Sequence, residues 1–231
     1  AVSETLWRLT DAGETVVDVG ANVGYTTAVV AGRLGRSGRI LCLEPHPEIF
    51  QELQHNVTCW RDRLPGIGFK CLEVAVSDTT GRLALGERPD FKYERGGASL
   101  EMSDPTGKGR CFEVSAVRLD DPRVGIETIH LLKVDVEGHE SRVFEGARQL
   151  LENRRVRDVI FEERDEYPTA ASDLLEASGY QAYRIHKAFL GPRLLSPDSE
   201  TRRSSWEPTS FLATRDADRA RQRLRARGWL I

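Results

Sequence analysis

The stretch Asp18-Val19-Gly20-Ala21-Asn22-Val23-Gly24 follows the β-branched run Thr15-Val16-Val17 and precedes residues of helical period, which predicts a glycine-bearing turn between a strand and a helix. Free N–H groups at a helix start favour a carboxylate or phosphate, and Gly20 lets the backbone approach a ligand closely. The dinucleotide fingerprint G-x-G-x-x-G is incomplete, because Asn22 stands where its second glycine would be, so a nicotinamide cofactor loses ground. A tight connection without any ligand would read the same way. Glu44, 24 positions after Gly20 and at the end of the next expected strand, is placed to grip a ribose diol, since its two oxygens can accept both hydroxyl protons. The segment Leu131-Leu132-Lys133-Val134-Asp135-Val136-Glu137-Gly138-His139-Glu140 delivers several ionisable groups where another buried strand ends. Asp135 could orient a cationic group or a nucleophile, and His139 could act as a general base if it faces the cleft. Glu137, His139 and Glu140 could equally decorate the first turn of a helix, where negative charge is favourable.

The elements that must position these groups alternate between short β-branched runs and stretches of helical period, which argues for an α/β domain with a largely parallel sheet. Strands are expected at 15–19, 39–44, 69–76, 129–134, 158–161, 180–185 and 210–214, and helices at 24–34, around Phe50, Leu53 and Val57, around Val143 to Leu151, and at 171–178. Between 77 and 121 the pattern changes to a β-rich insertion. Thr79-Thr80-Gly81-Arg82 reads as a hairpin turn, Gly96-Gly97-Ala98-Ser99 as a loop and 113–119 as a strand. No repeat or linker interrupts the chain, and 1–231 reads as a single domain.

Composition sets the outer bounds. The chain has 231 residues with 33 Lys plus Arg against 36 Asp plus Glu, a net charge of −3, which offers no global attraction to nucleic acid. Its longest uncharged stretch, 19–32, has 14 residues and is too short for a membrane span. No secretory signal is visible, and four cysteines without a CxxC pair (Cys42, Cys59, Cys71, Cys111) read as ordinary, mostly buried thiols of a reduced cytoplasm. Residues 215–227 carry six Arg against two Asp, yet Ala217, Ala220 and Leu224 form an apolar stripe, so a solvated helix is expected rather than a nucleic-acid surface. An oxidoreductase Tyr-x-x-x-Lys pair is offered by Tyr183 and Lys187, but on an expected strand these stand about 13 Å apart.

In order, VVDVGANVGYT at 16–26, LCLEPHP at 41–47, VAVSDTTG at 74–81, GGASL at 96–100, VRLDD at 117–121 and LLKVDVEGHE at 131–140 resemble the FkbM-type family of S-adenosylmethionine-dependent methyltransferases. The resemblance covers about 15–163 and implies a Rossmann-like class I sheet of seven strands, mostly parallel with one reversed, and helices on both faces. It implies that Asp18, Gly20, Asn22, Gly24 and Thr26, with Ala21 and Tyr25 in the same turn, surround the methionine part of the cofactor. Glu44 would hold the ribose, Pro45 and His46 would flank the adenine, and Ala75, Val76 and Ser77 would lie on its other side. Ser99 is a further contact to cofactor or substrate, and Asp135 would stand near the transferring methyl. The implied activity is O-methylation of a small-molecule hydroxyl on a natural product, sugar or glycolipid, with no nucleic-acid partner. Because the sulfonium is already activated, the protein must chiefly align the reactants and exclude water. Asp135, Glu137, His139, Glu162 and Glu163 are the candidate bases. Asp135 with Glu162 could bind a hard divalent cation, but no third ligand is evident and a metal is not favoured. A nucleic-acid or other methyltransferase and a non-catalytic cofactor-binding module are the remaining alternatives. Phe91, Tyr93, Phe189 and Trp206 are candidate walls of the acceptor pocket.

Overall fold

Aliphatic runs without polar alternation mark strands covered on both faces, and β1 shows the consequence. Val17 and Val19 enter one core while Val16 enters another on the opposite face. The computed structural model describes residues 1–87, 98–100, 109–199 and 208–231. The chain opens with α1 (Val2–Leu9), β1 (Thr15–Val19), α2 (Tyr25–Leu34), β2 (Gly38–Leu43), α3 (Pro47–Arg63) and β3 (Ile67–Leu72). Four strands follow, β4 (Ala75–Val76), β5 (Gly81–Glu87), β6 (Ala98–Ser99) and β7 (Cys111–Val117). Alternation resumes with β8 (Ile129–Val134), α4 (Glu140–Glu145), α5 (Arg148–Glu152), β9 (Val156–Glu163) and α6 (Ala170–Ala177), and closes with β10 (Gln181–Ala188), β11 (Gly191–Leu195), β12 (Thr209–Thr214) and α7 (Ala217–Leu224).

The main sheet has the order β11-β10-β12-β9-β8-β1-β2-β3. Its pairs from β9 through β3 are parallel, while β12 runs antiparallel to both β9 and β10. The seven strands that the resemblance implies are therefore present with β12 as the reversed one. An eighth, β11, extends the edge, because the segment after Lys187 turns back and pairs from Ala188↔Gly191 to Arg184↔Leu195. One core lies under α4 to α6, where Phe144, Phe161 and Phe211 follow one another at ring-centroid spacings of 5.5 Å. The other lies under α1, α2, α3 and α7. Ala220 and Leu224 of α7 are buried in it, as the apolar stripe predicts.

Four expectations are corrected. The strand read at 69–76 is broken: β3 stays in the main sheet, whereas β4 leaves it to pair with β7 in a second sheet of order β4-β7-β5-β6. The helix read through Val143 to Leu151 divides into α4 and α5 around Gly146, where a Cβ would stand 2.0 Å from the Ser77 carbonyl oxygen. Within the insertion, Gly81 and Arg82 already belong to β5, Ala98 and Ser99 form β6, and the strand read at 113–119 spans Cys111–Val117. Gly96 and Gly97 lie outside the described residues. Of the cysteines only Cys42 is buried; Cys59 and Cys111 are exposed and Cys71 is intermediate. Cys59 is exposed because Leu53 and Val57 turn the opposite side of α3 inward.

Candidate active site

β1 and β8 are parallel neighbours, with Asp18 opposite Lys133, so the turns that leave them meet at one sheet edge. Asp135 N donates to Val19 O at 3.1 Å, and Gly20 N and Ala21 N both donate to Leu43 O of β2. Gly20 has φ +71°, and a Cβ there would come within 1.9 Å of the Asp135 carbonyl oxygen. The passing chain after β8, rather than an approaching ligand, is thus what excludes a side chain at 20. Asn22 adopts φ 51°, the left-handed conformation that glycine favours and asparagine tolerates, and its Oδ1 accepts the Val23 N–H at 2.7 Å. Gly24 has φ +93°, and a Cβ there would stand 2.8 Å from both the Leu53 and the Trp60 side chains. Its lack of a side chain serves packing against α3.

Beneath this turn lies a charge cluster centred on Lys133, a residue whose role no sequence pattern announces. Its side chain is 7% exposed. Nζ donates to Gly20 O at 2.8 Å and stands 3.2 Å from Asp18 Oδ1 and 3.5 Å from Asp135 Oδ2. Burial opposes the ammonium charge, but Asp18 and Asp135 more than offset it, and the Lys133 pKa is raised above the ordinary lysine value. Asp18 Oδ2 accepts the hydroxyls of Thr26 and Thr27, each at 2.7 Å. Glu44, at the end of β2, accepts Asn22 N–H on Oε2 and His46 N–H on Oε1, both at 2.9 Å. Burial pushes its carboxyl up, and those two N–H groups pull it back. Each oxygen keeps acceptor capacity for one more hydroxyl.

These groups open into a cleft at the carboxyl ends of β1, β2 and β8. Of the residues expected to hold a cofactor, Gly20, Ala21, Asn22, Tyr25, Thr26, Glu44, Pro45, His46, Ala75, Val76 and Asp135 line it. Of the expected bases, Glu137 does so too. Asp18, Gly24, Ser77 and Ser99 do not: Asp18 is buried among its hydroxyl and ammonium partners, and Gly24 packs on α3. Ser99 Oγ donates to the Glu137 carbonyl at 2.8 Å, and Ser77 Oγ lies 2.9 Å from His139 Nε2. Both serines therefore tie the insertion sheet to the loop after β8. His139 is 6% exposed and turned to Ser77 rather than to the cleft. Leu85, Ala98 and Leu100 of the insertion roof the cleft. The roof is fastened where His46 Nε2 meets Glu87 Oε1 at 2.8 Å and Arg110 bridges Glu87 and Glu48.

Asp135 and Glu137 also line a smaller, adjoining recess with Gly138, Glu140, Glu162, Arg164 and Pro208. Glu137 holds φ 56° and pairs with Arg164 at 2.5 Å. A non-glycine residue in this region stores strain that the surroundings must hold. Glu140 Oε1 accepts the N–H groups of Val136 and Gly138, both at 3.3 Å, which fixes that loop from below. Burial raises its pKa to about 7. Burial, and the charge of Asp135 beside it, raise that of Glu162 to about 7 as well. Glu163 is raised by burial. Among the described residues, no group of three or more His, Cys, Asp or Glu side chains is placed to hold a metal ion. Phe91, Tyr93 and Trp206 lie outside the described residues, and Phe189 is 94% exposed at the β10–β11 turn. Tyr183 and Lys187 both fall on β10, as expected, and Tyr183 Oη donates to Gln181.

The methyltransferase FkbM domain matches residues 18–183, from the floor of the cleft to beyond the recess. The chain belongs to the methyltransferase FkbM family. This FkbM-domain chain is 32% identical over 180 residues to the 31-O-demethyl-FK506 methyltransferase FkbM of Streptomyces tacrolimicus, covering 66% of each protein. It is 27% identical over 158 residues to the 2-O-methyltransferase NoeI of Sinorhizobium fredii, covering 61% of this chain and 60% of NoeI. With the methyltransferase sdnD of Sordaria araneosa it shares 30% identity over 157 residues, 57% of this chain and 59% of that one. The match thus spans less than two thirds of the length of each relative. The solved structure of methyltransferase FkbM from Methylobacillus flagellatus KT superposes with a TM-score of 0.55 at 16% identity, over 87% of this chain and 43% of that one. The fold of the present chain is that of class I methyltransferases.

Proposed function

We propose that this chain is an S-adenosylmethionine-dependent O-methyltransferase that methylates a hydroxyl group of a small molecule, a natural product or a sugar. The observation that carries the reading is Glu44: a buried carboxylate at the end of β2, oriented by two backbone N–H groups and lining a cleft with acceptor capacity left for a vicinal diol. The remaining walls suit the rest of the cofactor. Pro45, Ile49, Val74 and Leu85 supply apolar surface for a purine, and the turn 20–26 supplies a polar end. When bound, the cofactor supplies a methyl group on a sulfonium, already activated for transfer. The chain's own work is then alignment and proton removal. The ammonium of Lys133 holds Asp135 and the Gly20 carbonyl in fixed relation. The insertion roof excludes water. Glu162, in the adjoining recess, takes the proton from the acceptor hydroxyl as its oxygen attacks, and Asp135 and Glu137 orient that hydroxyl from the wall shared by both spaces.

Calorimetric titration tests the cofactor. S-adenosylhomocysteine is expected to bind and NADH not to; Glu44→Ala weakens the former on the order of 100-fold, from two lost hydrogen bonds to a charged acceptor. Binding of NADH, or S-adenosylhomocysteine affinity indifferent to Glu44→Ala, overturns the reading. The base has its own signature. A carboxylate accepts a proton only when ionised, so kcat rises with pH through about 7, the value set by burial and Asp135. Glu162→Gln flattens that rise and lowers kcat on the order of 10²-fold or more. A profile unchanged in the variant removes Glu162 from the reaction.

A further inference from the structure

The arginine-rich segment after β12 is not used by the cleft, and the structure places it beside an exposed apolar tip. β10 runs parallel to β9, since both are antiparallel to β12, so the turn Phe189–Leu190 projects from the same sheet edge as the cleft. The chain after α7 reaches that turn. Gly228 N donates to Leu190 O at 2.9 Å and Trp229 Nε1 to Phe189 O at 3.1 Å. Phe189 is 94% exposed, Leu230 63% and Ile231 50%, with Leu190 and Trp229 near 40%. This exposure is built in. The buried Glu4–Arg8 pair of α1 clamps the segment: Arg8 donates to the carbonyls of Ala226 and Gly228, each at 2.6 Å, and Glu4 Oε2 accepts the N–H groups of Leu230 and Ile231. Next to the tip runs a groove between β11 and the end of α7, with Pro192 and Leu194 among its apolar residues and Arg193, Arg225 and Arg227 on its rim. Among the described residues the side chains of these three arginines make no hydrogen bond or ion pair, whereas Arg221 stacks on Tyr183 and Arg223 pairs with Asp11.

We propose that this tip docks the protein on an anionic membrane surface, with Phe189, Leu190 and Trp229 entering the interface and Arg193, Arg225 and Arg227 meeting acidic headgroups. The charge decides the partner's sign. In a chain of net charge −3, this face gathers the unpaired guanidinium groups of Arg193, Arg225 and Arg227 against one carboxylate, Asp218, in the groove lining. The apolar composition decides its class: phenylalanine, leucine and tryptophan side by side with arginine are the set that enters the boundary between headgroups and acyl chains. Tryptophan suits the headgroup level. Docked this way, the protein turns the sheet edge that carries the cleft towards the surface, where an acceptor with a lipid portion would be reached.

The test is sedimentation of the whole chain with vesicles of phosphatidylcholine alone and of phosphatidylcholine mixed with phosphatidylglycerol. Binding is expected to the mixed vesicles only, and to fall as salt rises. R193Q/R225Q/R227Q is expected to lower partitioning on the order of 100-fold, at roughly fivefold per arginine. Phe189→Ser with Leu190→Ser is expected to lower it at least about tenfold. All these residues but Leu190 lie well out in solvent, and thermal melting checks that both variants fold. Trp229→Phe removes a vesicle-induced shift in tryptophan emission. No sedimentation with either vesicle, equal binding to both, or binding retained by the arginine variant overturns the proposal. So does a concentration-dependent dimer abolished by the Phe189 and Leu190 changes without vesicle binding, which would assign the face to a second copy of this chain. Binding of an RNA oligonucleotide, lost in the arginine variant and unaccompanied by vesicle binding, overturns it in favour of a nucleic acid. None of these outcomes depends on the methyltransferase reading, because the residues varied stand outside the cleft.

Discussion

Gly20→Ala is expected to destabilise the protein by about 3 kcal/mol or more, and to abolish S-adenosylhomocysteine binding even in the fraction that stays folded. Two effects add. The residue sits at φ +71°, which alone costs an L-residue roughly 1–2 kcal/mol. The new methyl group would also lie 1.9 Å from the Asp135 carbonyl oxygen, a backbone atom fixed by the Asp135 N–H bond to Val19. Relief requires β1 and β8 to separate at their ends, where the cleft is formed. At this chain length the loss corresponds to a fall in Tm of roughly 6–12 °C. Gly138→Ala is the control: its φ is +101°, yet nothing lies within 4 Å of the added carbon. That change should cost only the conformational term, about 1–2 kcal/mol. Thermal melts of the two variants that coincide would show that the close approach at Gly20 carries no weight.

The same contact shows where the sequence is legible and where it is not. A glycine after a β-branched strand reads as a turn, and its role as a point of close approach follows from the residue type. The atom approached does not. That Asp135 lies across from it depends on β8 being the spatial neighbour of β1 although more than 100 residues separate them, and no local pattern states this. Glu44 is legible because its position rests on strand order near the N-terminus, where consecutive elements are also spatial neighbours. Lys133 escapes notice for the opposite reason. In LLKVDV it reads as one charge in an aliphatic run, and only the β1–β8 register, which sets it opposite Asp18, gives it a partner. The break between β3 and β4 is hidden because no glycine or proline interrupts Phe69 to Val76. It is tertiary pairing with β7, not propensity, that draws Ala75 and Val76 into the second sheet. His139 and Ser77 likewise look like site residues in sequence, and geometry turns them to each other.

That second sheet gives the cleft its polarity. One wall is built from the ends of parallel strands and presents Lys133, Asp135 and Glu44, with Asp18 buried behind Lys133; the roof offers Leu85, Ala98 and Leu100. An apolar roof lowers the local dielectric and strengthens every electrostatic contact beneath it. The roof is held by Arg110 and His46 through Glu87 on β5 and by Ser99 on the neighbouring β6, so the insertion belongs to the site as much as the main sheet does.

Lys133→Met should therefore be the most damaging substitution that leaves the backbone unstrained. Asp18 is 2% exposed, and the change leaves its carboxylate and that of Asp135 without their shared cation. Removing one partner of a buried ion pair costs about 3–5 kcal/mol, because the remaining charge is stranded. The sign of the pH dependence follows from the raised Lys133 pKa. A group whose folded value lies above its unfolded value stabilises fully below about 10.4 and loses that contribution only as pH rises through the folded value. The deficit of the variant should therefore be flat from neutral pH to about pH 10. Pairing Lys133→Met with Asp18→Asn separates stability from function. The amide still accepts the hydroxyls of Thr26 and Thr27 without a stranded charge, so the double variant should regain about 1–3 kcal/mol over additivity. It still lacks the ammonium that holds Asp135 and the Gly20 carbonyl, so cofactor affinity and kcat should stay low while the melt recovers. Denaturant unfolding of the four proteins in this cycle, with calorimetry on each, reads both quantities. Recovery of affinity together with stability would reduce Lys133 to a counter-ion for Asp18 and leave Asp135 to be placed by its own backbone.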